Sequence, residues 1–202
     1  PLLFDLTSLQ REANGRFGFS AKTTLALAQA LYERHKALTY PRTDSRALPE
    51  DYAGTVKKTL DAIAERRNPA HARHASKILK KGWVKPHKRI FDNRKISDHF
   101  AIIPTIQQPH NLSEAEGKLY DLVVKRFLAV FFPEAEYLVT SRLTRVEDEV
   151  FKTEGRVLTE PGWLEVYGKE AQSEDAAALV PIKNGERVRT LAVETQAHQT
   201  KP

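Results

Sequence analysis

The chain has 202 residues, with 32 Lys and Arg against 26 Asp and Glu and a formal charge of +6. That length suits one large or two small domains, each able to bury a core. With no cysteine there is neither a disulfide nor a thiolate metal site, and no apolar run approaches the ~20 residues a helical membrane span needs.

The charge is unevenly spread. Residues 1–133 carry 23 basic and 13 acidic side chains, a net of +10, whereas residues 134–202 carry 9 and 13, a net of −4. A basic N-terminal two-thirds points to a polyanionic partner, most simply nucleic acid. The chain opens at Pro1, contains no methionine and shows no signal peptide, so it is expected to be a piece of a longer protein.

In chain order, residues 3–14 read as a helix, with Thr7 or Ser8 as cap and Gly15 as its end. Ser20 caps a second helix running to about His35, with Leu25, Ala28, Leu31 and Tyr32 at helical spacing. The short Gly-Arg-Phe-Gly-Phe turn between them makes a helix-turn-helix-like pair. Lys22 falls in the first turn of the second helix, where the helix N-terminus attracts phosphate. Pro49 opens a third helix, with Tyr52, Val56, Leu60 and Ile63 on its buried face. From Arg66 to His99, 11 basic residues stand against Asp92 and Asp98. That run reads as a basic surface or mobile loop beside nucleic acid. His71 and His74 share helical spacing, but without thiolates or neighbouring acids a metal site is not expected there. Ser113 and Glu116 form a capping box for a long helix ending near Phe132, with Leu119, Leu122, Val123, Phe127 and Val130 inward. After Pro133 the period switches to alternation. Residues 136–146, 150–158, 163–167, 178–182 and 187–194 read as antiparallel strands, with Trp163 and Tyr167 as core candidates.

Two stretches carry chemistry. In Leu38-Thr-Tyr-Pro-Arg-Thr-Asp-Ser-Arg46, Pro41 pushes Tyr40 toward an extended backbone. Side chains two apart then share a side, so Tyr40 and Arg42 face one target. A phenol beside a guanidinium suits attack on a phosphodiester: positive charge favours the phenolate, and the planar fork of arginine matches phosphate oxygens. In Ile96-Ser-Asp-His-Phe-Ala-Ile-Ile-Pro-Thr105, His99 can bond a phosphate oxygen or carry a proton near neutral pH. A tether to Asp98 is the alternative.

These blocks, with Phe4-Asp-Leu-Thr-Ser-Leu-Gln-Arg-Glu-Ala-Asn14 and Phe17-Gly-Phe-Ser-Ala-Lys22, resemble the type IA DNA topoisomerases, and within them the bacterial topoisomerase III branch. The resemblance implies an α+β fold: a helical, catabolite-activator-like domain at 1–133 containing the helix-turn-helix, then an antiparallel β segment at 134–202 that forms part of the family's β-rich arch. Strands of a half-arch would expose unpaired edges. It implies Tyr40 as nucleophile, Arg42 and His99 as phosphate-binding partners, and Ser8, Lys22, Arg46 and Lys95 as DNA contacts. Catalysis would pass through a 5′-phosphotyrosine without a nucleotide cofactor. Mg²⁺ would be held by a separate acidic domain of the longer parent, because these 202 residues contain no Asp-x-Asp pair. Single-stranded DNA and the parent's other domains are the implied partners, and the bacterial cytoplasm, at the nucleoid, the implied location. A non-catalytic helix-turn-helix module for single-stranded DNA is the competing reading.

Overall fold

The computed structural model describes the chain except for residues 66, 67, 169–178, 190, 193, 198 and 200–202. Among the described residues the protein is α+β, with five α-helices and one two-stranded sheet. Its contacts divide it into two units, Pro1–Glu136 with Glu160–Gln172, and Tyr137–Thr159 with Ser173–Pro202.

In the first unit, α1 spans Leu6–Phe17 and is capped by Asp5, not by Thr7 or Ser8. The Asp5 carboxylate accepts from the Ser8 amide at 2.6 Å, which gives Ser8 the third position of a capping box. Gly18, at φ +70°, ends the helix; Gly15 lies within it. α2, Ala21–Glu33, starts at Ser20 and stops two residues short of His35. After Pro49 the chain makes a 3-10 turn at Glu50–Tyr52 and enters α3, Ala53–Ala64.

The basic run after it is only partly a loop: residues 69–81 are helical, whereas residues 83–92 and 96–99 are irregular. Residues Pro69–Lys81 form α4, capped by Asn68, opened by Pro69 at its first position and closed by Gly82 in the left-handed region. The cationic face had hidden an apolar one: Ala75 and Ile78 are fully buried, with His71 and His74 beside them. α5, Glu114–Ala129, has the expected Ser113–Glu116 capping box.

Two apolar clusters share α5. Leu119, Leu122 and Val123 pack with α1, α2, Phe4, Leu38 and Ile102. Val124, Phe127 and Leu128 pack with α3, α4, Leu3, Leu48 and Ile103. The neighbours Leu3 and Phe4, like Ile102 and Ile103, point into different clusters, as successive side chains of an extended backbone must. These extended segments thus run between the clusters, joined at the isolated bridges Phe4–Ile102, Leu38–Pro104 and Leu48–Phe91.

Residues 163–167 are not a strand: 163–166 lie in a 3-10 helix, Gly162–Val166, which Tyr167 follows as its C-cap. Gly162 sits at φ +48°, where a Cβ would meet the Glu134 carbonyl oxygen at 2.2 Å. The Trp163 amide donates to the Pro133 carbonyl at 3.0 Å. Leu164, Val166 and Tyr167 are thereby buried against the helices. Arg126 ties the arrangement together, donating to the Tyr167 hydroxyl, the Leu2 carbonyl and Glu12, with its guanidinium 4.1 Å from the Phe4 ring centre.

In the second unit, β1 (Glu136–Val146) and β2 (Glu149–Glu160) form a hairpin around Glu147, at φ +55°. The other strands expected here are not found among the described residues. Residues 179–182 and the described part of 187–194 carry no strand pairing, and position 178 lies outside the described residues. Residues 179–188 run beside β1 along an open trough of about 850 Å³, where Arg142 donates to the Val180 carbonyl. The alternation of residue types was present, but without a paired ladder it makes no sheet.

Candidate active site

The site is built from the clipped extended segments. Lys36, a non-glycine at φ +52°, reverses the chain after α2, and the Ala37 amide returns to the Leu31 carbonyl at 2.8 Å. The Thr39 amide then donates to Ile103 and the Thr105 amide to Ala37, both at 3.0 Å. Further along, the Leu6 amide donates to Thr43 at 2.9 Å and the Ala101 amide to Ala47 at 3.0 Å.

From Pro41 to Ala47 burial alternates strictly: 41, 43, 45 and 47 are buried, while Arg42, Asp44 and Arg46 are exposed. The inward positions carry hydroxyls that replace a regular ladder. Thr39 Oγ1 donates to the Ala101 carbonyl and accepts from the Ile103 amide, both at 2.9 Å. Thr43 Oγ1 donates to the His99 carbonyl at 2.8 Å, and Ser45 Oγ to the Lys95 carbonyl at 2.7 Å. Every second residue is therefore anchored, and the residues between are turned outward. The sequence motif points to the outward set; the anchoring set is the odd-numbered hydroxyl series 39, 43 and 45, which follows a period of two along the extended segment.

On the outer side the Tyr40 ring packs against the exposed His99 ring in a tilted contact, with centres 4.2 Å apart and planes inclined by 43°. The Tyr32 ring meets Tyr40 nearly edge-on at 5.4 Å and 80°. His99 is not tethered to Asp98: neither side chain has a hydrogen bond or ion pair among the described residues. Arg42 likewise has no partner there, so its five donors are free for a ligand.

The remaining expected residues divide. Arg46 donates through Nε to Asp5 at 2.8 Å. Burial raises the Asp5 carboxyl, but bonds from Ser8 and Arg46 outweigh it and hold the group below its usual value. Ser8 is thus joined to Arg46 through the cap of α1. Lys95 donates to the Lys88 carbonyl at 2.9 Å and lies 3.5 Å from Asp92. The bond from Arg94 is the chief reason the Asp92 carboxyl falls to about 2. Lys22 stands exposed on the first turn of α2, with no bond among the described residues to any other site residue.

Among the described residues no three His, Cys, Asp or Glu side chains gather as metal ligands. His71 and His74 face different carboxylates: Asp121 at 2.9 Å and Glu165 at 3.7 Å. No helix among the described residues is long and apolar enough to cross a membrane.

Fold and site together define an α+β protein whose helical unit presents aromatic and cationic side chains on a hydroxyl-anchored extended segment. A family model described as DNA topoisomerase matches residues 1–202, and the chain belongs to that family. It is 42% identical over 210 residues to a DNA topoisomerase 3 of Bacillus subtilis, and 44% identical over 211 residues to one of Bacillus cereus. Each alignment covers 100% of this chain and 28% of the relative's length. The structure of full-length topoisomerase I from Thermotoga maritima is similar with a TM-score of 0.61 at 26% identity, over 92% of this chain and 29% of that one.

Proposed function

We propose that this chain is the tyrosine-bearing part of a bacterial type IA DNA topoisomerase, with residues 1–133 as the DNA-cleaving domain and 134–202 as part of its arch. The observation that carries the reading is the contact of the Tyr40 ring with the His99 ring, two residues before the exposed Arg42, unpartnered among the described residues, of an anchored extended segment. The Tyr40 hydroxyl oxygen attacks a backbone phosphorus of single-stranded DNA. A phosphotyrosine bond forms to the 5′-phosphate while the bond to the 3′-oxygen breaks, and that oxygen leaves with a proton as a 3′-hydroxyl. Attack by the hydroxyl reverses both changes, so the bond is conserved and no nucleotide is consumed. Arg42 holds two phosphate oxygens in its fork, and His99 donates to a third group of the same backbone. Arg46, Lys95, Ser8 and Lys22 contact neighbouring phosphates.

The Mg²⁺ associated with this family finds no acidic donor set among the described residues; other domains of the longer enzyme would hold it. Those domains and DNA are the partners, and the cytoplasmic nucleoid is the place of action.

The test uses the full-length enzyme that carries this chain, with single-stranded DNA labelled at its 3′ end and resolved on a denaturing gel. Label should shift with the protein, and Tyr40→Phe should abolish the shift. Arg42→Lys should retain more cleavage than Arg42→Ala, since it keeps charge but loses the fork. His99→Ala should be milder, reflecting one bond to a charged group of about 1.5–3 kcal/mol. A shifted band in Tyr40→Phe refutes the assignment; a protein that binds DNA without any covalent product is a binding module.

A further inference from the structure

We propose that Tyr32, on the last turns of α2, is a positioning residue for the Tyr40 phenol; the inference rests on the reading of Tyr40 as nucleophile. A phenol on a two-bond tether swings freely unless both faces and edges are restrained, and about 1 Å of misplacement can cost about a hundredfold in rate. The structure restrains Tyr40 at three points. Its backbone is fixed by Thr39, whose amide and hydroxyl make three bonds to residues 101 and 103. One ring face is covered by His99 at 4.2 Å. His99 is itself held by the Thr43 hydroxyl on its carbonyl. The third restraint is Tyr32, which meets Tyr40 at 5.4 Å and 80°, the edge-to-face geometry aromatic pairs favour.

Tyr32 is suited to this by its placement. It belongs to a helix anchored in the core by Ala28 and Leu31, both fully buried. The reversal at Lys36 lays residues 37–40 back along the helix end, so the contact is set by the turn. Its hydroxyl has no hydrogen bond among the described residues, so the ring is the part the structure uses. The Lys36 ammonium, 5.9 Å from the Tyr32 ring centre, adds a cation to this aromatic row.

The experiment compares Tyr32→Phe, which keeps the ring, with Tyr32→Leu, which keeps apolar bulk without one, in the full-length enzyme. Single-turnover cleavage is measured at saturating oligonucleotide, together with DNA affinity and melting temperature. Tyr32→Leu is expected to cleave about ten- to a hundredfold more slowly at wild-type affinity and melting temperature, and Tyr32→Phe at the wild-type rate. Wild-type cleavage by Tyr32→Leu, an equal loss in Tyr32→Phe, or a loss that follows affinity or melting temperature overturns the inference. A Tyr40→Phe control that still forms covalent product overturns the underlying reading instead; a dead control with an unimpaired Tyr32→Leu overturns only the role of Tyr32.

Discussion

The helical unit and the hairpin unit treat similar apolar residues in opposite ways. In the helical unit Phe4, Leu60, Ile63 and Phe127 are completely buried, and α5 serves two clusters at once. In the hairpin unit Leu138, Val139, Leu143, Val150 and Phe151 are all more than half exposed. Both segments obey their local period, helical in one and alternating in the other. Period orients side chains, but only a second layer removes them from water, and an isolated two-stranded hairpin has none.

The same substitution chemistry in each unit should expose the contrast most plainly. Phe127→Ala removes a ring from between α3, α5 and their neighbours, and should cost about 3–5 kcal/mol in denaturant unfolding. Leu143→Ala, at a site 70% exposed, should change stability by less than about 0.5 kcal/mol. Comparable losses at the two positions would mean that the hairpin is covered as fully as the helices.

A smaller effect, still large for one methyl group, is expected where the 3-10 helix crosses the end of the helical unit. Gly162→Ala places its Cβ against backbone rather than a movable side chain, in a left-handed conformation. It should destabilise the protein by about 1–3 kcal/mol. A neutral result would show that residues 160–167 can lift from Pro133–Glu134 without loss.

The smallest effects are those of pH, and they belong to the helical unit. Backbone bonding from Ser113, with the pairing to Arg34, brings the Glu116 carboxyl down to about 2 from 4.5. A depressed acid contributes stability above its unfolded value, which is lost as pH falls toward the folded one. Melting temperature should therefore fall between about pH 4.5 and 2, less steeply in Glu116→Gln. His74 is depressed too, chiefly by burial. Its neutral form is favoured by folding, so this contribution is complete above 6.5 and declines as pH drops below it. His74→Gln should flatten that part of the profile, and an unchanged slope would assign the loss to other groups.

Much of the helical unit was legible in the residues because its signals are local. The Ser20 cap, the Ser113–Glu116 box and the inward face of α5 each depend on groups within a few positions of one another. Asn68, Pro69 and Gly82 announce both ends of α4, but the density of Lys and Arg on its exposed face masks the apolar face beneath. The cap of α1 lies at Asp5 rather than Thr7 or Ser8; all three side chains are competent, and only the fold shows which of them reaches the amides.

What the amino-acid sequence determined by itself is the set of conformations enforced over short distances: the capped helices, the hairpin turn, and the extended backbone after Pro41 that leaves Arg42 exposed. Tertiary structure alone decided which faces are covered and which distant groups meet. It placed residues 162–167 among the helices rather than in the sheet, left 179–194 unpaired where described, and brought Tyr32, Tyr40 and His99 into one row. The physical reason is that propensity and capping act through bonds a few residues apart, whereas burial and ring contact depend on chain segments whose separation in sequence carries no record of their approach.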